Sequence, residues 1–232
     1  MGEMIENIAH QWRQPLSVIS TISSSLKIKK EMNILDDKEF YEALQNINKT
    51  SEHLSNTIDD FRNFFSPNKE MNKFYVSQLI KKSKDLIKSR FDKFNIKVIE
   101  NIDDIEILSY QNELFQVILN LFSNSIDVLS SNEIEDKIIH IKIYQDENNL
   151  CIEFLDNGGG IKDEFINRVF EPYFTTKHKS QGTGIGLYMS LQIVTKHLNG
   201  EISVKNDTFI ENNIAYFGAK FTILLPIHPK NS

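Results

Sequence analysis

The residues best equipped for chemistry stand in four groups, in one order, along the last two-thirds of the chain. They are Asn120 with Asn124, Asp156-Asn157-Gly158-Gly159-Gly160, Phe170-Glu171-Pro172-Tyr173-Phe174, and Gly182-Thr183-Gly184-Ile185-Gly186-Leu187. Asn120 and Asn124 are spaced i, i+4 and share one helix face, with Asp127 following on the same side. Mg2+ takes oxygen ligands and keeps several waters, so an amide oxygen plus nucleotide phosphates would fill its shell. By itself the pair reads as a polar helix face, for which Asn is a poor helix former. In this order it reads as a ligand pair.

Asp156 ends an apolar run, where a carboxylate can accept a hydrogen bond from an exocyclic amine such as adenine N6. Gly158, Gly159 and Gly160 let the backbone pass close to a flat base. Asp-Asn-Gly also makes a plain turn, but a turn needs fewer glycines. Gly182, Gly184 and Gly186 precede a helical pattern at Leu187, and free N–H groups at a helix start suit phosphate oxygens. The spacing is neither the dinucleotide fingerprint nor the P-loop. Between the glycine clusters, Lys177 and His178 can reach phosphates, with a solvated loop charge as the plainer role for Lys177. Lys179 reads as solvated.

These groups need elements to hold them. Ile5, Ile8, Trp12, Pro15, Ile19, Ile22 and Leu26 recur in steps of three and four. Phe40, Leu44, Ile47, Ser51, Leu54, Ile58, Phe61 and Phe65 do the same. Such stripes predict two long helices joined by a polar turn at Asn33 to Asp37. A hairpin buries both seams poorly, so a homodimer forming a four-helix bundle is expected. Pro15 should kink the first helix. Beyond the break at Ser66-Pro67, the patterns predict helices over 76–91, 112–129 and 185–198, the last capped by Asn199-Gly200. Strands are expected over 96–100, 106–108, 138–144, 150–155, 201–204 and 216–225. The expected fold is α+β: a helical hairpin over 1–66, a linker over 67–73 and a two-layer α/β sandwich over 74–232.

Bulk properties narrow the classes. The 232 residues are 40% hydrophobic and 25% charged, enough for one or two ordinary domains. A net charge of −6 argues against a nucleic-acid partner. The single Cys151 fits a reducing compartment, and its apolar neighbours make it a structural thiol. No apolar run reaches the roughly 18–20 residues that span a bilayer. The chain opens inside a helical pattern, so a missing N-terminal sensor region is expected. This stretch would lie in the cytoplasm, with an inner-membrane anchor on the parent as one option.

The four groups resemble the N, G1, F and G2 boxes of two-component sensor histidine kinases, and His10-Gln11-Trp12-Arg13-Gln14-Pro15-Leu16 resembles their H box. The resemblance covers nearly the whole chain. It implies a dimerisation and phosphotransfer bundle followed by a Bergerat-type ATP domain, with Mg2+ on Asn124 and adenine read by Asp156. It also implies a lid from Gly158 to Gly182, ATP and Mg2+ as cofactors, and the receiver domain of a response regulator as partner. The expected nucleotide set is Asn120, Asn124, Asp127, Asp156, Gly158, Gly160, Lys177, Gly182, Thr183, Gly184, Gly186 and Leu187. His10 falls at heptad position f, facing solvent, where a neutral imidazole nitrogen can attack a γ-phosphoryl group.

Three residues depart from the usual pattern. Gln11 stands where many relatives have Glu or Asp; it can hold a ring tautomer but cannot take a proton. Gln14 stands where many have Thr or Asn, and its amide is suited to orient a dephosphorylating water. Asp127 replaces a common Lys; arranging water around Mg2+ and capping local polar groups are equal readings. Arg13 is equally a phosphate contact or a bundle salt bridge. A phosphatase-biased nucleotide-binding dimer is the alternative kept alive by Gln11 and Gln14. An ATPase of the gyrase or chaperone type would need a Glu base at Asn120.

Overall fold

The computed structural model describes residues 2–64, 70–131, 133–176 and 184–227; for 2–14, 53 and 56–64 the backbone alone is described. Contacts divide the chain into two units, one holding the first two helices and the other the remaining elements.

The first unit is α1 (Gly2–Glu31) packed on α2 (Asp37–Phe64). α1 runs unbroken through Pro15. It ends because Asn33 adopts a left-handed φ of 54°, which lets Ile34 N–H reach the Lys29 carbonyl at 3.0 Å. α2 starts where Asp36 Oδ1 accepts from Glu39 N–H at 2.7 Å. Lys29 at the end of α1 pairs with Glu39 at the start of α2. The seam residues Ile19, Ile22, Leu26, Ile47 and Leu54 are only half-buried, and Leu16, Val18 and Tyr41 are exposed. Every fully buried apolar side chain among the described residues belongs to the second unit.

That second unit runs β1 (Asn72–Tyr75), α3 (Val76–Phe94), β2 (Ile96–Ile102), β3 (Glu106–Ser109), α4 (Gln111–Ser131), β4 (Lys137–Asp146), β5 (Asn149–Asp156), α5 (Asp163–Ile166), α6 (Gly186–Gln192), β6 (Glu201–Glu211) and β7 (Ile214–Pro226). Five strands form one sheet in the order β2-β4-β5-β7-β6, and β1 pairs with β3 apart from it. The fold is the α+β, two-layer sandwich that the patterns predict. α4 packs against α3, α6, β4 and β5, and is the central helix of its layer. Leu114, Val117, Ile118, Leu121, Phe122, Ile126 and Leu129 are its buried stripe, spaced by three and four. Phe122 meets Phe91 and Phe154 edge-on, with centroids 5.5 and 5.0 Å apart. Each such buried side chain contributes about 1.5–3 kcal/mol. The opposite side of the same helix is left to carry Asn120, Asn124 and Asp127.

The structure corrects the sequence reading in four places. β1 lies partly in the expected linker; it is a four-residue strand with only Phe74 buried, too short for periodicity to detect. β2 and β4 pair in parallel, joined across β3 and α4, an orientation that the strand patterns do not supply. β6 continues to Glu211, well past Val204. Asn212 and Asn213 both take positive φ, 51° and 64°, which makes the tight turn of a long hairpin. The predicted final helix is α6 followed by one π turn over Ile193–His197, where Leu198 N–H bonds the Ile193 carbonyl. Its end is the expected cap, with Asn199 at φ 52° and Gly200 N–H on the Val194 carbonyl at 2.8 Å.

Candidate active site

Asp156 is the last residue of β5 and is 4% exposed. Its Oδ1 accepts from Gly158 N–H at 2.9 Å and Ala219 N–H at 3.4 Å, and its Oδ2 from Ser125 Oγ at 3.3 Å. Burial pushes its carboxyl above the usual range, opposed by those three donors. The donors come from three elements: the turn after β5, strand β7 and helix α4. They fix the orientation of a carboxylate that has little water to do so.

Asn157, next along, is also buried. It faces the other way and ties the turn to β4: its Oδ1 accepts from Ile138 N–H at 2.8 Å, and its Nδ2 donates to the Asp136 carbonyl at 2.6 Å. Its work is structural. Gly158 is buried and Gly159 exposed, and Gly159 and Gly160 hold φ of +88° and +78°. A side chain on Gly159 would meet nothing within 4 Å, so backbone conformation, not space, calls for glycine there.

On α4, Asn120 Nδ2 donates to Ser190 Oγ on α6 at 2.8 Å. That contact needs Gly186, whose added Cβ would sit 2.4 Å from Asn120 Oδ1. Asn124 Nδ2 is buried with no hydrogen-bond partner. An unpaired buried amide costs about 1–3 kcal/mol, and its N and O ends exchange by a flip, so the site holds a ready partner for a phosphate or a hydrated cation. Asp127 pairs with Arg90 of α3 at 2.7 Å, and Arg90 also reaches Ser123 Oγ at 3.0 Å. Its carboxylate therefore makes an ion pair between α3 and α4, in keeping with the local polar role.

Tyr173 and Gly184 meet across the loop between them, with Tyr173 N–H on the Gly184 carbonyl at 2.8 Å. Both have positive φ, 68° and 65°, and a Cβ on Gly184 would lie 2.5 Å from the Tyr173 carbonyl carbon. Leu187 is half-buried in the first turn of α6. Lys177, Gly182 and Thr183 lie outside the described residues. His10, Gln11, Trp12, Arg13 and Gln14 lie on the backbone of α1, and their side chains are outside the description too.

Site residues that sequence reasoning missed are Ser125, Ser190, Gly218 and Ala219. A Cβ on Gly218 would fall 1.9 Å from the Asp156 carbonyl oxygen, so β7 passes hard against the end of β5. Ser125 was within reach of sequence: it follows Asn124 on the buried stripe, where a lone hydroxyl needs a partner. Nothing local marked the other three. A separate cavity of about 190 Å3 lies between β2, the start of β4 and the β6–β7 turn. Within it Lys97 pairs with Glu211 at 3.3 Å and Tyr216 OH with Asp136 at 3.0 Å, and none of Asn120, Asn124, Asp127, Asp156 or the site glycines lines it.

Comparison with known proteins agrees with this fold. The chain is 26% identical to the signal transduction histidine-protein kinase AtoS of Escherichia coli K12, over 100% of the chain and 36% of AtoS. It is 29% identical to sporulation kinase E of Bacillus subtilis 168, over 98% of the chain and 29% of that kinase. The chain thus spans about a third of the length of these relatives. The nucleotide-free catalytic domain of histidine kinase ThkA superposes with a TM-score of 0.57 at 25% identity, over 68% of this chain and 97% of that one. ThkA in complex with the response regulator TrrA shares the fold over 97% of this chain and 61% of that one, with a TM-score of 0.71 and 23% identity. Residues 1–70 match the His Kinase A phospho-acceptor domain. Residues 109–229, more than half of the chain, match the histidine kinase-, DNA gyrase B- and HSP90-like ATPases, and the chain belongs to that family.

Proposed function

We propose that the chain is the core of an ATP-dependent protein-histidine kinase that phosphorylates its own His10 and passes the phosphoryl group to an Asp of a response-regulator receiver domain. The observation that carries this reading is Asp156: a buried carboxylate oriented by three donors, with Asn124, whose buried Nδ2 has no partner, on the adjoining helix. Bound Mg-ATP supplies the transferable γ-phosphoryl group and the cation that neutralises its charge. Asp156 accepts from the exocyclic amine of the base, and Asn124 offers its amide oxygen to the cation. Asn120, held by Ser190, is fixed beside it. An amide at Asn120 cannot deprotonate water, which favours transfer to a side chain over hydrolysis.

His10 is the acceptor on the strength of the phospho-acceptor match around it. Its neutral imidazole nitrogen attacks the γ-phosphorus and ADP leaves. Gln11 holds the ring tautomer, and Gln14 orients the water that dephosphorylates the regulator. The half-buried seam of α1 and α2 supports a homodimer closing a four-helix bundle. Lys177, Gly182, Thr183, Gly184, Gly186 and Leu187 frame the phosphates, and Gly158 and Gly160 the base. The same reading places the chain in the cytoplasm, downstream of a sensor region, in a parent with or without a membrane anchor. No described helix is long and apolar enough to cross a membrane.

The test is phosphorylation from γ-labelled ATP with Mg2+, native chain against His10→Ala. An acid-labile, base-stable label lost in the variant is expected. Tight nucleotide binding with no label would favour the second reading, a phosphatase-biased dimer, which Gln11 supports because it cannot take a proton and Gln14 because its amide is suited to orient a dephosphorylating water.

A further inference from the structure

The chain leaving Asp156 runs through no regular element until α5 begins at Asp163, and its two positive-φ glycines give it freedom to wander. Asn157 ties its start to β4, and beyond Gly158 what holds it comes from β6 and β7. Asn206 Oδ1 accepts from Ile161 N–H at 2.8 Å, and Asn206 Nδ2 donates to the Ile161 carbonyl at 2.7 Å, across 45 residues of sequence. One side-chain amide thus satisfies both backbone groups of one residue, as a neighbouring strand would. The Phe217 carbonyl accepts from Gly159 N–H at 3.3 Å. Asn206 also pairs across the ladder with Ala219, whose N–H bonds Asp156. A Cβ on Gly160 would lie 2.6 Å from Asn206 Oδ1, so glycine there makes room for this amide.

We propose that Asn206 is a positioning residue of the nucleotide site: its amide clamps the backbone of Ile161 and so fixes the glycine turn against Asp156. Asn206 touches no reacting atom and acts through the turn. The side chain is specific for this task. Asp keeps the acceptor for Ile161 N–H but loses the donor to the Ile161 carbonyl, and Ala loses both. The inference rests on the reading of Asp156 as the acceptor for the base.

The experiment compares the native chain with Asn206→Ala, Asn206→Asp, Gly160→Ala and the Gly160→Ala/Asn206→Ala pair. Amide hydrogen exchange is read without nucleotide, ATP affinity by calorimetry, and KM and kcat by phosphate incorporation. For Asn206→Ala, Ile161 N–H should exchange at least tenfold faster while β5 and β7 amides keep their protection. KM for ATP should rise about tenfold with kcat unchanged, and Asn206→Asp should fall between. The double variant should bind ATP no worse than Gly160→Ala alone, because the amide that meets the new methyl is gone. Unchanged exchange and KM in Asn206→Ala would overturn the proposal. So would exchange accelerated throughout the sheet with a lowered melting point, which marks a merely structural role, and so would additive losses in the pair. A native chain that binds no ATP would sink the nucleotide reading and this one with it. A failure confined to the clamp shows instead as a native chain that binds and an Asn206→Ala chain that binds equally well.

Discussion

Burial and hydrogen bonding pull the Asp156 carboxyl in opposite directions, and burial wins. A carboxyl whose folded value is raised contributes stability that is fully present below its ordinary value of 3.8 and is lost as pH rises through the folded value. Above that raised value the ionised carboxylate is held at a cost in stability, as expected of a group retained for binding. Asn at this position keeps an acceptor for Gly158 and Ala219 and carries no charge. Asp156→Asn should therefore leave the melting temperature of the nucleotide-free chain unchanged or higher, while ATP affinity falls at least tenfold, by ~1.4 kcal/mol or more. Thermal melts and calorimetry on the same preparation decide it; a large drop in melting temperature would make Asp156 a structural residue. Asn120, Asn124, Asp156 and the glycines were legible in the sequence because their residue types are costly choices for plain helix or turn. Ser190 and Ala219 were not, because an ordinary Ser and Ala acquire a role only from what lies opposite them.

Among the elements, α4 is the part on which most depends, with its apolar stripe in the core and its amides toward the site. Besides the Phe91–Phe122 contact, the half-exposed Arg90–Asp127 ion pair links it to α3. Exposed pairs contribute roughly 0.2–1 kcal/mol, so Arg90→Met should cost about that much in denaturant unfolding. ATP affinity should stay as it is if Asp127 serves only α3; a change of threefold or more would return Asp127 to the nucleotide site. The Tyr173–Gly184 contact makes a different demand. Gly184→Ala must adopt a positive φ and displace the Tyr173 backbone, which should cost about 1–3 kcal/mol of stability and lower phosphorylation of the chain. Equal unfolding midpoints for variant and native chains would show that the loop ends do not close in this way. Helix positions were readable because a period of three and four over many residues is hard to produce by accident. β1 is too short to show a period, and the polar run Lys205-Asn206-Asp207 concealed the strand that Asn212-Asn213 turns back.

For the molecule as a whole, two quantities follow. A hairpin with only half-buried seam residues is expected to associate, so sedimentation should give a dimer, and Ile22→Asp should shift it toward monomer at micromolar concentration. A native chain that sediments as a monomer would remove the bundle from the proposal. The second is pH dependence. His140 stacks on Phe209, which stacks on Tyr216, so the tip of the β6–β7 hairpin lies against the sheet. Burial holds the imidazole below its ordinary value of 6.5, against the pull of Glu211 and Glu153 and with the aid of Lys142. The unfolded chain then takes up the proton first, so the stability tied to His140 is present above 6.5 and is lost as pH falls through its lowered value. The melting temperature should drop between about pH 7.5 and about pH 5.5, and His140→Gln should flatten that slope.

The sequence alone determined the two-part plan, the order of the chemical groups and the family, because apolar period and residue type are local properties that survive without a partner. Tertiary structure decided which donors orient Asp156, that Arg90 takes Asp127, and that Asn206 braces the turn at Ile161. Those choices depend on strand register and helix packing, which bring together residues 31 to 63 positions apart and have no local signature. Gly160 shows the division most plainly. Its type alone suggested room for a ligand, and only the fold revealed that a side chain of the same protein uses that room.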